Sequence, residues 1–128
     1  MIMPIKTFGL THISLKVNDI ERSLKFYEKV FGVKVMYHEK GLLQVQTPGS
    51  NDIIVFEEGD SQNGKSGGIN HFGFRLQNAK DIEAAAEAII SAGGIIIDKG
   101  EFVRDEPYLF FKDPDGYEVE IWYELLPQ

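Results

Sequence analysis

The chain contains no cysteine, which excludes disulfides, zinc–thiolate centres and thiol nucleophiles together. Basic residues are in deficit: 13 Lys and Arg stand against 20 Asp and Glu, for a formal net charge of -7. No basic patch is then at hand to displace counterions from phosphates, so no nucleic acid partner is expected. No apolar run approaches the roughly 20 residues that span a bilayer, so no membrane partner is expected either. The opening Met1-Ile-Met-Pro-Ile-Lys6 is too short for the hydrophobic region of a signal peptide, and the expectation is a cytoplasmic protein. Histidine is scarce too, with three in 128 residues. Their placement therefore carries information.

Two of the three lie in matching surroundings. His12 sits in Leu10-Thr-His-Ile-Ser-Leu-Lys-Val17 and His71 in Ile69-Asn-His-Phe-Gly-Phe-Arg-Leu76. With period 2, each run reads as a half-buried strand. Ile13, Leu15 and Val17 share one face of the first, and His12, Ser14 and Lys16 the other. In the second, Phe72, Phe74 and Leu76 oppose His71, Gly73 and Arg75. Both polar faces read histidine, small residue, cation.

The rest of the chain repeats in the same way. A helix is expected from about Ile20 to Phe31, capped by Asn18 or Asp19, stopped by Gly32, with Ile20, Leu24, Tyr27 and Phe31 inward. Strands follow at Val33–His38, Leu42–Thr47 and Asp52–Glu58. In the second half a helix from about Asp81 to Ala92 turns Ile82, Ala85, Ala86 and Ile89 inward and ends at Gly93-Gly94. A short strand Ile95–Asp98, then Tyr108–Lys112 and Glu118–Tyr123, complete it, with a type I turn at Asp113-Pro-Asp-Gly116. The expected fold is α+β: one domain over residues 1–128, built of two tandem βαβββ modules at about 9–58 and 69–124. The Gly/Ser/Asn-rich stretch 59–68 links them. Two such sheets side by side would form a curved mixed sheet around a concavity on the side away from the helices.

The last strand supplies a carboxylate to that concavity. In Glu118-Val-Glu-Ile-Trp-Tyr123, Glu118, Glu120 and Trp122 share the face opposite Val119, Ile121 and Tyr123. Two imidazoles and Glu120 make a 2-His-1-carboxylate set, which holds a divalent metal and leaves positions open for water or substrate. The identity of the metal (Ni, Zn, Mn or Fe) does not follow from the residues.

The chain resembles the vicinal oxygen chelate superfamily, which includes glyoxalase I, extradiol dioxygenases, fosfomycin-resistance and bleomycin-binding proteins. The resemblance covers about residues 9–124. It is carried by His12-Ile-Ser-Leu-Lys-Val17, Ser23-Leu-Lys-Phe-Tyr27, Phe31-Gly32, Asn70-His-Phe-Gly-Phe74 and Phe111-Lys-Asp-Pro-Asp-Gly-Tyr-Glu-Val-Glu-Ile121. It implies a glyoxalase-like fold, a homodimer, and His12, His71 and Glu120 as metal ligands. The implied activity is a metal-dependent, glyoxalase-type lyase or isomerase reaction on a small-molecule substrate chelated through adjacent oxygens. An Fe(II) extradiol-type dioxygenase is the first alternative. A non-catalytic antibiotic-binding or bleomycin-resistance protein is the second, although such relatives usually lose the ligands that this chain keeps.

Glyoxalase I enzymes usually add a fourth ligand, a glutamate on the last strand of the first module. Here that strand is Asp52-Ile-Ile-Val-Phe-Glu-Glu58, in either of two registers. With Ile53 and Val55 on the cavity side, Glu57 joins them as a fourth ligand or as the general base, with Glu120 the other candidate base. With Ile54 and Phe56 there, three ligands remain. Val33 departs mildly from the larger residue usual after this glycine. Fosfomycin transferases typically carry a Thr where Ser14 stands and an Arg just past the last strand, where this chain continues Glu124-Leu-Leu-Pro-Gln128. Extradiol enzymes need a further His, and His38, beside Glu39 and Lys40, reads as a surface residue. Candidate substrate contacts are Arg104, Tyr108 and Trp122, with Lys16 and Arg75 as further cations.

Overall fold

The structure, a computed structural model, describes residues 3–125. Helix α1 (Ile20–Phe31) starts at Asp19, whose carboxylate accepts hydrogen bonds from the amides of Glu21 and Arg22. Two of the donors that a helix start leaves unpaired are thereby satisfied. Gly32 ends the helix at φ 64° and donates its N–H to the Glu28 carbonyl. The buried face is Ile20, Ser23, Phe26 and Tyr27. It is rotated from the Ile20–Leu24–Tyr27–Phe31 row toward Phe26, because the helix is covered on two sides. Helix α2 (Ile82–Ser91) follows a 3-10 turn at Ala79–Asp81 and buries Ile82, Ala86 and Ile89, as its pattern predicts.

Strands β1 (Ile13–Val17), β2 (Lys34–Glu39), β3 (Leu42–Gln46) and β4 (Ile54–Glu58) form one sheet in the order β1-β4-β3-β2. Strands β5 (Phe72–Arg75), β6 (Ile95–Val103), β7 (Glu106–Lys112) and β8 (Glu118–Trp122) form another in the order β5-β8-β7-β6. In each sheet the first strand runs parallel to the last and the other pairs are antiparallel. A parallel pair needs a crossover, and the helices provide it. The two βαβββ modules are therefore present.

Several boundaries differ from expectation. Both histidines sit one residue ahead of their strands. Strand β6 also runs on to Val103 instead of stopping at Asp98. Its polar stretch Asp98-Lys-Gly-Glu101 resembles a loop, but Lys99, Gly100 and Glu101 pair with Leu109, Tyr108 and Pro107 of β7. Cross-strand pairing outweighs local composition there.

One core joins the modules. It combines Leu15, Val17 and Phe56 of the first sheet with Phe111, Val119 and Ile121 of the second, and both helices enter it. The Tyr27 ring lies 5.1 Å from Phe56 of the first sheet. In the second, Phe26 lies 5.9 Å from Phe111 and Phe31 stacks on Phe74 at 3.9 Å, so α1 packs on both sheets. Polar bonds lock the same junction. The Tyr27 hydroxyl donates to Asp113 Oδ2 at 2.8 Å. Asp115 Oδ1 accepts from the Asn18 amide at 2.8 Å and from Arg22 at 2.9 Å. Tyr117 donates to the Lys16 carbonyl at 2.6 Å. The Asp113–Gly116 turn closes by a bond from the Gly116 amide to the Asp113 carbonyl at 2.9 Å.

Because the helix-covered faces converge on one core, the histidine-bearing faces lie on the outside of the chain. A concavity holding both histidines is not formed within one chain, which differs from the side-by-side arrangement expected from the sequence. No helix among the described residues is long and apolar enough to cross a membrane.

Candidate metal centre

Strand pairing puts Glu120 beside His71. Glu120 is the register partner of Gly73, two residues past His71 on the same outer face. A Cβ on Gly73 would lie 3.3 Å from the Glu120 Cβ, so the missing side chain leaves the carboxylate uncrowded. His71 Nε2 stands 3.2 Å from Glu120 Oε1. On the other side of the ring, Asn70 Oδ1 accepts from His71 Nδ1–H at 2.6 Å.

That second bond matters chemically. With its proton on Nδ1, the imidazole turns the Nε2 lone pair toward the carboxylate. In the neutral ring two acceptors then face each other across 3.2 Å, whereas in the charged ring Nε2–H donates to Glu120 Oε1. Glu120 Oε2 is buried with no hydrogen-bond partner. A cation would satisfy all of these atoms, and an outer partner that orients the histidine is the usual support of a metal ligand. The donor set fits a divalent metal.

His12 does not join this pair in the single chain. It borders a cleft of about 500 Å³ with Phe72, Gly73 and Phe74, whereas His71 borders a separate one of about 650 Å³ with Lys16 and Lys112. Among the described residues no three His, Asp or Glu side chains are grouped to hold a metal.

The register of β4 decides the question left open over Glu57. Ile54 and Phe56 are in the core. Val55 pairs with Ser14, and Glu57 with Lys16, so both lie on the His12 face. In the second module Glu120 pairs with Gly73, and Trp122 with Arg75. Val55 is therefore the repeat equivalent of Glu120, and Glu57 that of Trp122. Glu57 stands two residues, about 6.6 Å, farther along the strand than a fourth ligand would. It accepts from Ser14 Oγ at 3.4 Å and is exposed.

The substrate candidates are spread over the second module. Arg104 is exposed at the tip of the β6–β7 hairpin. Tyr108 and Trp122 are register partners on the outer face of the second sheet. The Tyr108 hydroxyl donates to Asp98 Oδ2 at 3.1 Å, and this bond raises its pKa above the ordinary 10.0. Arg75 pairs with Glu124 at 2.8 Å. His38 lies 3.5 Å from Glu21, away from the pair. Two contributors were not anticipated. Asn70 stands out in the sequence only as the first residue of the Asn70–Phe74 stretch, with no role of its own. Phe102, which stacks on Tyr108 with centroids 4.0 Å apart, showed only as a lone aromatic beside a loop.

The glyoxalase/bleomycin resistance protein/dioxygenase superfamily matches residues 9–121. A probable trivalent organoarsenical cleaving enzyme of Bacillus subtilis is 31% identical over 88% of this chain and 77% of its own length. A catechol-2,3-dioxygenase of the same organism is 29% identical over 88% of this chain but only 41% of its own length. Among solved structures, the fosfomycin resistance protein FosX of Listeria monocytogenes, in complex with Mn(II) and sulfate, superposes with a TM-score of 0.80. The match covers 94% of each chain at 22% identity.

Proposed function

Because the chain belongs to the glyoxalase/bleomycin resistance protein/dioxygenase superfamily, we propose that it is a metal-dependent enzyme acting on a small molecule through two adjacent oxygens. The observation that carries this reading is the His71–Glu120 pair at 3.2 Å, with Nδ1 committed to Asn70 and Glu120 Oε2 unpartnered. A divalent ion held by His12, His71 and Glu120 would supply Lewis acidity and sites for two substrate oxygens. Asn70 keeps the His71 lone pair aimed. Gly73 keeps the carboxylate accessible. Glu57 is the general base we assign, since it lies on the His12 face and, among the described residues, pairs with no cation.

His12 reaches the pair from a second copy of the chain. In one chain the two histidines belong to different sheets and border different clefts. A twofold homodimer placing the first sheet of one copy against the second sheet of the other would assemble two equivalent sites.

Val55 favours a specific second reading. With an apolar residue at the repeat equivalent of Glu120, the set is a three-ligand triad with open positions, a pattern shared by Fe(II) oxygenases. Oxygen uptake on catechols by iron-loaded protein would move the assignment there. Isomerisation of a 2-oxoaldehyde–thiol adduct with Ni or Zn would establish the glyoxalase type.

Mixing two variants tests the shared site. Neither His12→Ala nor His71→Ala alone should hold metal tightly. Unfolded and refolded together, they should regain about a quarter of the wild-type sites, because half of random dimers carry one intact site. No recovery, in a mixture that is folded and dimeric, refutes the shared site.

A further inference from the structure

Beside the His71–Glu120 pair, the outer face of the second sheet carries a continuous row of rings. The His71 ring meets Phe110 edge-on at 5.0 Å, and Phe110 is the register partner of Glu120. Phe110 meets Tyr108 at 5.7 Å, Tyr108 stacks on Phe102 at 4.0 Å, and Phe102 meets Trp122 edge-on at 5.5 Å.

Two local features build this row. The pairing of β6 with β7 shifts register between Glu101 and Val103, which leaves Phe102 as an unpaired bulge residue. A bulge re-aims the side chain it carries, here over the Tyr108 ring. Gly100, paired with Tyr108, has no side chain to intervene, since a Cβ there would lie 3.1 Å from the Tyr108 hydroxyl.

The row ends on unsatisfied chemistry. Trp122 Nε1 is buried and has no acceptor. A buried indole N–H ordinarily finds one, and its absence leaves a donor to be matched. Phe102 keeps 53% of its surface exposed, an aromatic face with nothing on it.

We propose that Phe102, Tyr108 and Trp122 form the wall that receives a planar aryl group of the substrate. This rests on the metal-centre reading for where the substrate's oxygens go. Phe110 joins the His71 ring to the wall, so an aryl group extending from the oxygen pair runs along the row. Phe102 is the specificity-determining residue of the row, because it alone is placed by the bulge.

The test uses full-length protein loaded with Zn(II) and a matched pair of probes. Benzoylformate and pyruvate carry the same adjacent oxygens and differ as phenyl and methyl. Trp122 is the sole tryptophan, so its emission reports on the wall. Benzoylformate should bind about tenfold more tightly than pyruvate and perturb that emission. Phe102→Leu should cut the ratio to about threefold or less without weakening pyruvate, and Phe102→Tyr should preserve it. Equal affinities that still need zinc overturn the wall and leave the metal centre standing. A ratio that persists after zinc removal, with both affinities unchanged, supports the wall and overturns the metal centre. A changed assembly mass for Phe102→Leu with an unchanged ratio makes the row a contact between copies and overturns the proposal.

Discussion

Asn70 Oδ1 accepts the Nδ1 proton of His71 at 2.6 Å, and this bond decides which nitrogen faces Glu120. Without it the ring is free to present either nitrogen or to rotate. Asn70→Ala should weaken divalent metal binding by about 10- to 100-fold, the usual cost of losing such a partner. Competition titration against a chelating dye measures it. Unfolding midpoints should stay near wild type, because Asn70 is exposed.

Glu57 and Glu120 have distinct roles under the proposed reading. Glu57→Gln should keep full metal content while lowering turnover by about 10²- to 10⁴-fold, the range for a general base. Glu120→Gln should lose metal. Elemental analysis of both variants, paired with rates on the substrate once identified, separates them. Metal loss in Glu57→Gln would make it a ligand after all.

Asp113 links stability to pH. Burial raises its pKa from 3.8, although bonds from Tyr27 and from the amides of Tyr117 and Asp115 offset part of the rise. A raised folded-state value means that the native chain binds the proton more tightly than the unfolded chain. Its contribution to stability therefore falls as pH climbs from 3.8 to the raised value, and the cost is complete above that. Asp113→Asn should flatten this part of the stability–pH curve, measured by urea unfolding at several pH values. An unchanged slope would assign it to other groups.

Tyr27 is buried beside that carboxylate, and burial followed by the Asp113 charge pushes its pKa well above 10.0. It remains a donor across the working pH range. Tyr27→Phe should leave Asp113 Oδ2 without this bond and cost about 1–3 kcal/mol in urea unfolding.

Gly116 sits at φ 94°, and a Cβ there would lie 2.6 Å from the Asn63 carbonyl oxygen. Gly116→Ala combines a disfavoured backbone region with a clash against backbone. A loss of about 1–3 kcal/mol is expected, with the metal ligands still in place.

Much of this fold is written in local pattern. The α1 stop at Gly32, the period-2 faces around both histidines and the Asp113–Gly116 turn depend on residues close in sequence. Phe26 and β6 were obscured for the opposite reason. Phe26 is buried by a sheet from the other module, and Asp98–Glu101 become strand only because β7 pairs with them. The candidate site divides in the same way. His71 and Glu120 could be placed on one face by periodicity, and parallel pairing brings them together. Which β4 residue matched Glu120 required the register itself, since a one-residue slip exchanges Val55 for Phe56. The separation of His12 from the pair lies in how the modules pack, which no period along the chain encodes.

The lock formed by Tyr27, Arg22, Asp113 and Asp115 has an evolutionary consequence. It binds the modules through their inner faces and leaves the outer ones free of that duty. Residues that hold the chain together and residues available for reaction thus occupy opposite sides of each sheet. Exposed outer positions such as Glu57 and Phe102 can be exchanged during divergence with little loss of foldedness. A lineage built this way can change its substrate repeatedly while inheriting the same scaffold.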